Sequence, residues 1–437
     1  MCLHGPVTIA ELGYPLVERT LANGLRVIVS PDHAAPVVAV NLWYDVGSRD
    51  EASGQTGFAH LFEHLMFQGS EHVASAEHLG AMQAAGATVN ATTWFDRTNY
   101  FEAVPTGALD LALWLEADRM ATLPVALTQA NLDNQREVVK EEKRQRYDNV
   151  PYGDVIEHAL TLTFPEGHPY AHTVIGSMAD LDAASTDDAI RFFRSYYHPA
   201  NCVLTLVGDI EPEDGFARAE HYFGGIPAAE TPPRPDAPQL PPLTGVPRTT
   251  LTQPVPANAA YMTWRLPARG TRAYDACEIA LDILGGSQTS RLYRRLVHTD
   301  RIASAAGASP MALIGGTSFG FAFARALEGT PLENVEDAVV AELRRFAEAG
   351  PTPEELERTH VQFEREWLGQ LARFESRADL IGCYATLHGR PELVNSRIAE
   401  FCSVTADEVA DAARAWLLPE QRAVLSYRRA ALGGEDS

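Results

Sequence analysis

The sequence has little positive charge. Its 437 residues include 35 lysines and arginines against 58 aspartates and glutamates, which gives a formal net charge of −23. A polyanion would be repelled by such a chain, so we expect no nucleic-acid partner. Two of the basic residues are lysines, Lys140 and Lys143, and the rest are arginines. Together with the abundant alanine, this is typical of a GC-rich bacterial genome and does not indicate a mechanism.

Cysteines are few and long apolar runs are absent. The five cysteines contain no CxxC pair, which argues against a disulfide framework and against a cysteine zinc site. We expect them to be buried as small hydrophobic residues. No run of 18 apolar residues occurs in the sequence, so we expect no membrane span.

The first residues, MCLHGPVTIAELGYP, lack the basic and apolar regions of a secretory signal. This predicts a cytoplasmic protein. The alternative is a periplasmic or lipoprotein-anchored protein, because an exported lipoprotein expressed without its signal would begin much like this, with a cysteine such as Cys2.

A proline-rich stretch at 228–248, AAETPPRPDAPQLPPLTGVPR, divides the chain into two parts of similar length. Proline removes backbone donors and favours extended backbone, so this stretch is predicted to be a semi-rigid linker. We therefore predict an N-terminal domain at 1–227 and a C-terminal domain at 249–437. Late in each part a capped helix is followed by a proline and an alternating strand, which indicates an internal duplication.

Periodicity predicts mixed sheets with helices packed on them in both parts. Predicted helices cover 109–121, 127–148, 273–284, 335–349 and 353–371, and predicted strands cover 88–94 and 99–104. Asn23-Gly24 is typical of a hairpin turn. The predicted fold class is α+β, with two homologous mixed-sheet αβ domains joined by the linker.

Residues 57–64 read GFAHLFEH and form the most informative stretch. On a helix, His60, Glu63 and His64 share one face, because each residue turns the chain by about 100°. Two imidazoles four positions apart can converge on one zinc ion, and the neighbouring carboxylate can act as a base toward water. A polar helix face is the alternative, but three residues in this arrangement favour the metal site.

A catalytic zinc usually takes a third protein ligand. The predicted helix around NLDNQREVVKEEKRQRYDN offers Glu137, Glu141 and Glu142, and spacing alone does not choose among them. A charge run of this kind also occurs as a solvated helix face.

The HxxEH order is the inverted zinc motif, and the chain resembles the pitrilysin/insulinase family, in its bacterial branch similar to mitochondrial processing peptidase. The resemblance covers about residues 18–428 and implies a processing-peptidase-like metallohydrolase fold. Its third ligand is a glutamate 76 or 77 positions beyond the second histidine within a VVxEE-like stretch; Glu141, in REVVKEEKRQ, lies 77 positions beyond His64. The resemblance therefore implies one Zn²⁺ per chain on His60, His64 and Glu141.

The same resemblance implies further roles. Glu63 would be the catalytic base, and Asn90 and Ala91 in VNATTWFDRTNYF would bind peptide along an edge strand. The acidic residue that family members often have seven positions before the third ligand is Asn134 here, so its support would come from Glu137 or from elsewhere.

Active single-chain members of the family often carry an arginine and a tyrosine in the C-terminal domain that bind the substrate. Arg291 matches the arginine, but Ser304 stands at the tyrosine position. The expected activity is hydrolysis of unfolded peptides in a chamber closed by dimerisation, with a homologous zinc-less subunit supplying the missing pair. A homodimer is the alternative assembly. A non-catalytic scaffold of the same fold and a maturation protease for one modified peptide are alternative functions.

Overall fold

The computed structural model describes residues 12–430. Its strands are β1 (Val17–Thr20), β2 (Arg26–Pro31), β3 (Val37–Tyr44), β4 (Thr88–Thr93), β5 (Thr98–Pro105), β6 (Cys202–Gly208), β7 (Arg248–Gln253), β8 (Ala259–Pro267), β9 (Ala303–Met311), β10 (Thr317–Ala326) and β11 (Ala423–Arg429). Its helices are α1 (Phe58–Leu65), α2 (Glu77–Ala84), α3 (Leu109–Ala126), α4 (Gln129–Lys143), α5 (Val155–Thr163), α6 (Met178–Ala183), α7 (Thr186–Tyr196), α8 (Pro212–Phe223), α9 (Arg272–Gly285), α10 (Arg291–Tyr293), α11 (Leu332–Ala349), α12 (Pro353–Leu371), α13 (Phe374–His388), α14 (Leu393–Cys402) and α15 (Ala406–Trp416).

The described chain forms two compact units, each built from separated segments. The first comprises 12–141, 174–235 and 364–400, and the second comprises 142–173, 236–363 and 401–430. The division falls inside helix α4, so the last two residues of this continuous helix are counted with the second unit.

The first unit contains a six-stranded sheet in the order β1-β2-β6-β3-β5-β4. Strands β2 and β6 are parallel, and the other neighbours are antiparallel. Side chains alternate between the faces of a strand. The indole of Trp43 on β3 points to α13 and donates to Asp379 at 3.0 Å, whereas the hydroxyl of Tyr100 on β5 lies 3.5 Å from the carbonyl oxygen of Phe62 in α1. Helices α1 and α13 therefore cover opposite faces.

The second unit contains a five-stranded sheet in the order β7-β11-β8-β10-β9, in which β7 and β11 are parallel. This order repeats β2-β6-β3-β5-β4, so the predicted α+β architecture of two homologous mixed-sheet domains is confirmed. In each sheet one helix comes from the other half of the sequence: α13 contacts β3 and β6, and α5 contacts β8 and β11. A simple division at 228–248 does not describe this exchange of segments.

Most predicted elements occur close to their expected bounds. The Asn23-Gly24 turn joins β1 and β2, and Gly24 has a φ of 90°, which glycine adopts without strain. The helix predicted at 127–148 is α-helical over Gln129–Lys143 and π-helical over Arg144–Asp148. Between residues 12 and 430, no helix has both the length and the apolarity that a membrane crossing requires.

The cysteines follow the expectation in part. Cys202, Cys277 and Cys383 are buried, and Cys402 is half-buried. Cys2 lies outside the described residues.

Candidate metal centre

Helix α1 presents its polar residues on one side and its apolar residues on the other. Its buried residues are Phe58, Ala59, Leu61, Phe62 and Leu65. His60, Glu63 and His64 are half-buried. The apolar side fixes the helix against the first unit, and the two histidines and the glutamate are left facing away from the core.

The start of α1 is fixed by a glycine and a carboxylate. Gly57 has a φ of 94°, and a Cβ at this position would lie 2.6 Å from the carbonyl oxygen of Ile175, so only glycine fits. The Glu51 carboxylate accepts hydrogen bonds from the backbone N–H groups of Gly57 and Ala59, both at 2.8 Å. Glu51 thus takes the role of an N-cap side chain. Desolvation raises its pKa well above the usual range, against the effect of these two bonds.

His60 and His64 come together with Glu142. One possible ligand atom from each of the three side chains lies within 4.8 Å of the others. The two imidazole rings have centroids 4.9 Å apart and planes at 75°. Glu142 stands on the last turn of α4, so its place follows from that helix. Its carboxylate also accepts from the guanidinium of Arg146 at 2.7 Å, and 70% of the Arg146 side chain is exposed.

The carboxylate that the structure brings to the two histidines is that of Glu142 and not that of Glu141, which the resemblance implied as third ligand. Glu141 is exposed, because one residue along a helix turns its side chain by about 100° away from Glu142. The two predicted supporting residues stand on the same helix, α4. Asn134 and Glu137 are exposed, and Glu137 pairs with Lys140 at 3.0 Å. The residue seven positions before Glu142 is Gln135, which is 7% exposed.

A signal for Glu142 was available in the sequence. The buried residues of α4 are Leu132, Gln135 and Val139, at intervals of three and four. The next position of that stripe is 142, so the periodicity of the inner helix face selects Glu142 over Glu141.

Glu63 is held from the sheet. The hydroxyl of Thr93, the last residue of β4, donates to Oε2 of Glu63 at 2.6 Å. This contact joins residues 30 positions apart, and no sequence pattern indicated it.

Strand β4 lies at the edge of its sheet, where β5 is its neighbour. Asn90 is exposed and Ala91 is buried. The backbone N–H of Ala91 donates to Oδ1 of Asn90 at 2.9 Å and therefore points away from β5. The edge at Asn90 and Ala91 thus carries a backbone donor directed outward.

Arg291 and Ser304 belong to the second unit. The Arg291 guanidinium pairs with the Glu355 carboxylate at 2.6 Å, and the Arg291 side chain is 12% exposed. Ser304 is exposed on β9, and its hydroxyl lies 3.4 Å from the carbonyl oxygen of Arg325. Strand β9 is an edge strand of its sheet, as β4 is of the other.

A second histidine–carboxylate group lies in the core, where His78, Glu102 and Glu116 meet. Burial lowers the pKa of His78 to about 3 and raises those of Glu102 and Glu116 to about 7. The Arg119 guanidinium forms two hydrogen bonds with Glu116, so this group is an internal ion-pair network with its own cation.

Two family models match the chain. The one described as insulinase (peptidase family M16) matches residues 26–177, and the one described as the peptidase M16 inactive domain matches 183–362. Together they match well over half of the chain. The chain belongs to the insulinase (M16) peptidase family. His60, His64 and Glu142 all lie within the first match, and the inactive-type model matches a part of the chain without these residues.

Relatives of this M16 chain are named as proteases. The zinc protease PqqE of Helicobacter pylori is 29% identical over 84% of this chain and 82% of its own. The "Probable mitochondrial-processing peptidase subunit beta" of Schizosaccharomyces pombe is 27% identical over 51% of this chain and 48% of its own. The crystal structure of a protease from Helicobacter pylori has a TM-score of 0.88 and 25% identity, covering 95% of this chain and 99% of its own.

Proposed function

We propose that this chain is a zinc-dependent endopeptidase whose metal ligands are His60, His64 and Glu142. The observation that carries the proposal is the convergence of two imidazoles and one carboxylate within 4.8 Å. Two histidines and a glutamate are a ligand set of catalytic zinc, which keeps one position open. The donor set therefore fits one zinc ion per chain.

Glu63 would be the general base. When bound, zinc would lower the pKa of a water molecule and polarise the scissile carbonyl. The Glu63 carboxylate takes a proton from the attacking water as the water oxygen adds to the carbonyl carbon. It then passes that proton to the amide nitrogen as the C–N bond breaks. The Thr93 hydroxyl donates to one oxygen of this carboxylate, Oε2.

The peptide would be bound as an added strand along β4. Strand addition uses backbone hydrogen bonds, which suits unfolded peptides of varied sequence. The exposed edge at Asn90 and the outward N–H of Ala91 support this placement.

We further propose that the working assembly is a heterodimer that closes a chamber around the peptide, with a homologous zinc-less subunit as partner. Two features of the second unit support this. Arg291 is engaged by Glu355, and the position expected for a tyrosine holds Ser304. The partner would supply the arginine and tyrosine that grip the substrate. A homodimer is the alternative.

The cytoplasmic location stays a prediction, which cell fractionation can test.

The test combines zinc content with cleavage of an unstructured fluorogenic peptide by the purified chain, alone and mixed with such a subunit. We expect about one zinc per chain, and activity that a chelator removes and added zinc restores. Activity that appears on mixing supports the heterodimer, whereas full activity of the chain alone supports the homodimer. A chain that binds no zinc at neutral pH, when zinc is offered, would contradict the proposal and favour a scaffold.

A further inference from the structure

Thr93 contacts the group proposed as the base of peptide hydrolysis. Its hydroxyl donates to Oε2 of Glu63 at 2.6 Å, which is a short hydrogen bond to a carboxylate. Both side chains are half-buried. Any catalytic role of Thr93 rests on the proposed function, because Thr93 would act through the base of that reaction.

The direction of this hydroxyl is set by the strand. Threonine is branched at Cβ, so its χ1 angle has few choices on a strand. Side chains of β4 alternate, which turns Thr93 toward α1 and Thr92 to the other face. The Thr92 hydroxyl donates instead to Asn99 at 2.6 Å. Thr92 therefore cannot replace Thr93 as the partner of Glu63.

The carboxylate of Glu63 needs such a partner. A glutamate side chain has three rotatable bonds and loses considerable conformational entropy when it is held in one position. Glu63 stands on the polar side of α1, away from the buried residues of that helix. A fixed donor restricts the carboxylate before the peptide arrives.

We propose that Thr93 is a positioning residue that holds the Glu63 carboxylate in a fixed position relative to the edge of β4 along which the peptide would bind. Ala91, whose N–H points outward from that edge, lies two residues earlier on the same strand. A peptide added to β4 and the base that serves it are thus located by one strand. This contact contributes to turnover and contributes little to peptide affinity.

The test uses Thr93→Val, which keeps the branched shape and removes the hydroxyl, and Thr93→Ser, which keeps the hydroxyl. Thr359→Val is the matched control, because the Thr359 hydroxyl also donates to a carboxylate, that of Asp282 at 2.8 Å, and Thr359 stands on helix α12 and not on the peptide-binding strand. All are assayed in whichever assembly gives wild-type activity. We expect Thr93→Val to lower kcat by about 10- to 100-fold, the effect of a misplaced reacting group. We expect KM and zinc content to stay within about twofold of wild type.

Thr93→Ser should recover most of the lost kcat, and Thr359→Val should match wild type. Crystal structures give a readout that does not depend on an activity assay. The Glu63 side chain should occupy one conformation in wild type and Thr93→Ser, and several in Thr93→Val. If Thr93→Val unfolds, Thr93→Ala is measured in its place against the same controls. A Thr93→Val enzyme with wild-type kcat overturns the positioning role and leaves the proposed function standing. A wild-type chain that holds zinc but cleaves no peptide in either assembly overturns both.

Discussion

The two neighbouring glutamates at the end of α4 give a matched pair of perturbations. Glu142 meets His60 and His64, whereas Glu141 is exposed. Replacing either by glutamine keeps the side chain's size and removes its charge. If Glu142 is the third ligand, Glu142→Gln should lose zinc, and Glu141→Gln should bind zinc like wild type.

The two variants should differ widely in zinc affinity. Loss of a group that merely orients a ligand weakens metal binding by about 10- to 100-fold. Loss of a ligand itself should therefore weaken it by about 100-fold or more, or at least ~2.7 kcal/mol. Glu142 also pairs with Arg146 through Oε1, but that pair is open to solvent on the arginine side and is worth at most ~1 kcal/mol. An exposed charge such as that of Glu141 is screened, so we expect a change within about threefold.

The assay is competition for zinc between each variant and a chromophoric chelator at neutral pH, with circular dichroism to confirm that both variants fold. Arg146→Ala serves as a further control and should bind zinc as well as wild type or up to about fivefold more tightly. A Glu141→Gln variant that loses zinc while Glu142→Gln retains it would refute the assignment, and the count of 77 positions from His64 would then be right.

Buried and exposed ion pairs should differ in their effect on stability. Arg119→Met should lower the free energy of unfolding in urea by about 3–5 kcal/mol, because it leaves Glu116 buried without its cation. The control is Arg218→Met, which removes a more exposed pair with Asp110. Equal losses of stability in the two variants would contradict this reasoning. Hydrogen bonding by Arg272, and then by the backbone of Thr405, lowers the pKa of Glu408 from 4.5 to about 2. Its stabilisation is therefore present above pH 4.5 and is lost as the pH falls toward 2. The stability difference between wild type and Glu408→Gln should shrink across that window, and a constant difference would exclude the linkage.

The fold could be predicted well because its signals are local and repeated. Alternating strands, capped helices such as Thr186–Tyr196 and Ala406–Trp416, and the Asn23-Gly24 turn all depend on neighbouring residues. The exchange of α5 and α13 between the two halves of the sequence depends on contacts distant in sequence. No local pattern reports such contacts, so the division at 228–248 did not anticipate it.

The candidate site, too, has residues that the sequence predicts and residues that it does not. His60, Glu63 and His64 share a face of one short helix, so their spacing alone brings them together. The third carboxylate comes from another helix, and an error of one residue moves a side chain by about 100°. Counting from His64 gave Glu141, whereas the buried stripe that includes Val139 leads to Glu142. Thr93 reaches Glu63 from the sheet, so its contact emerges when the chain has folded.

The proposed zinc peptidase chemistry is tested most directly by the Glu63→Gln variant, compared with wild type at equal zinc occupancy. Zinc content and peptide cleavage are measured on the same samples, in the assembly that gives wild-type activity. We predict unchanged zinc and cleavage reduced by about 100-fold or more, because the ligands remain and the base is lost. Full turnover by zinc-loaded Glu63→Gln would contradict this mechanism.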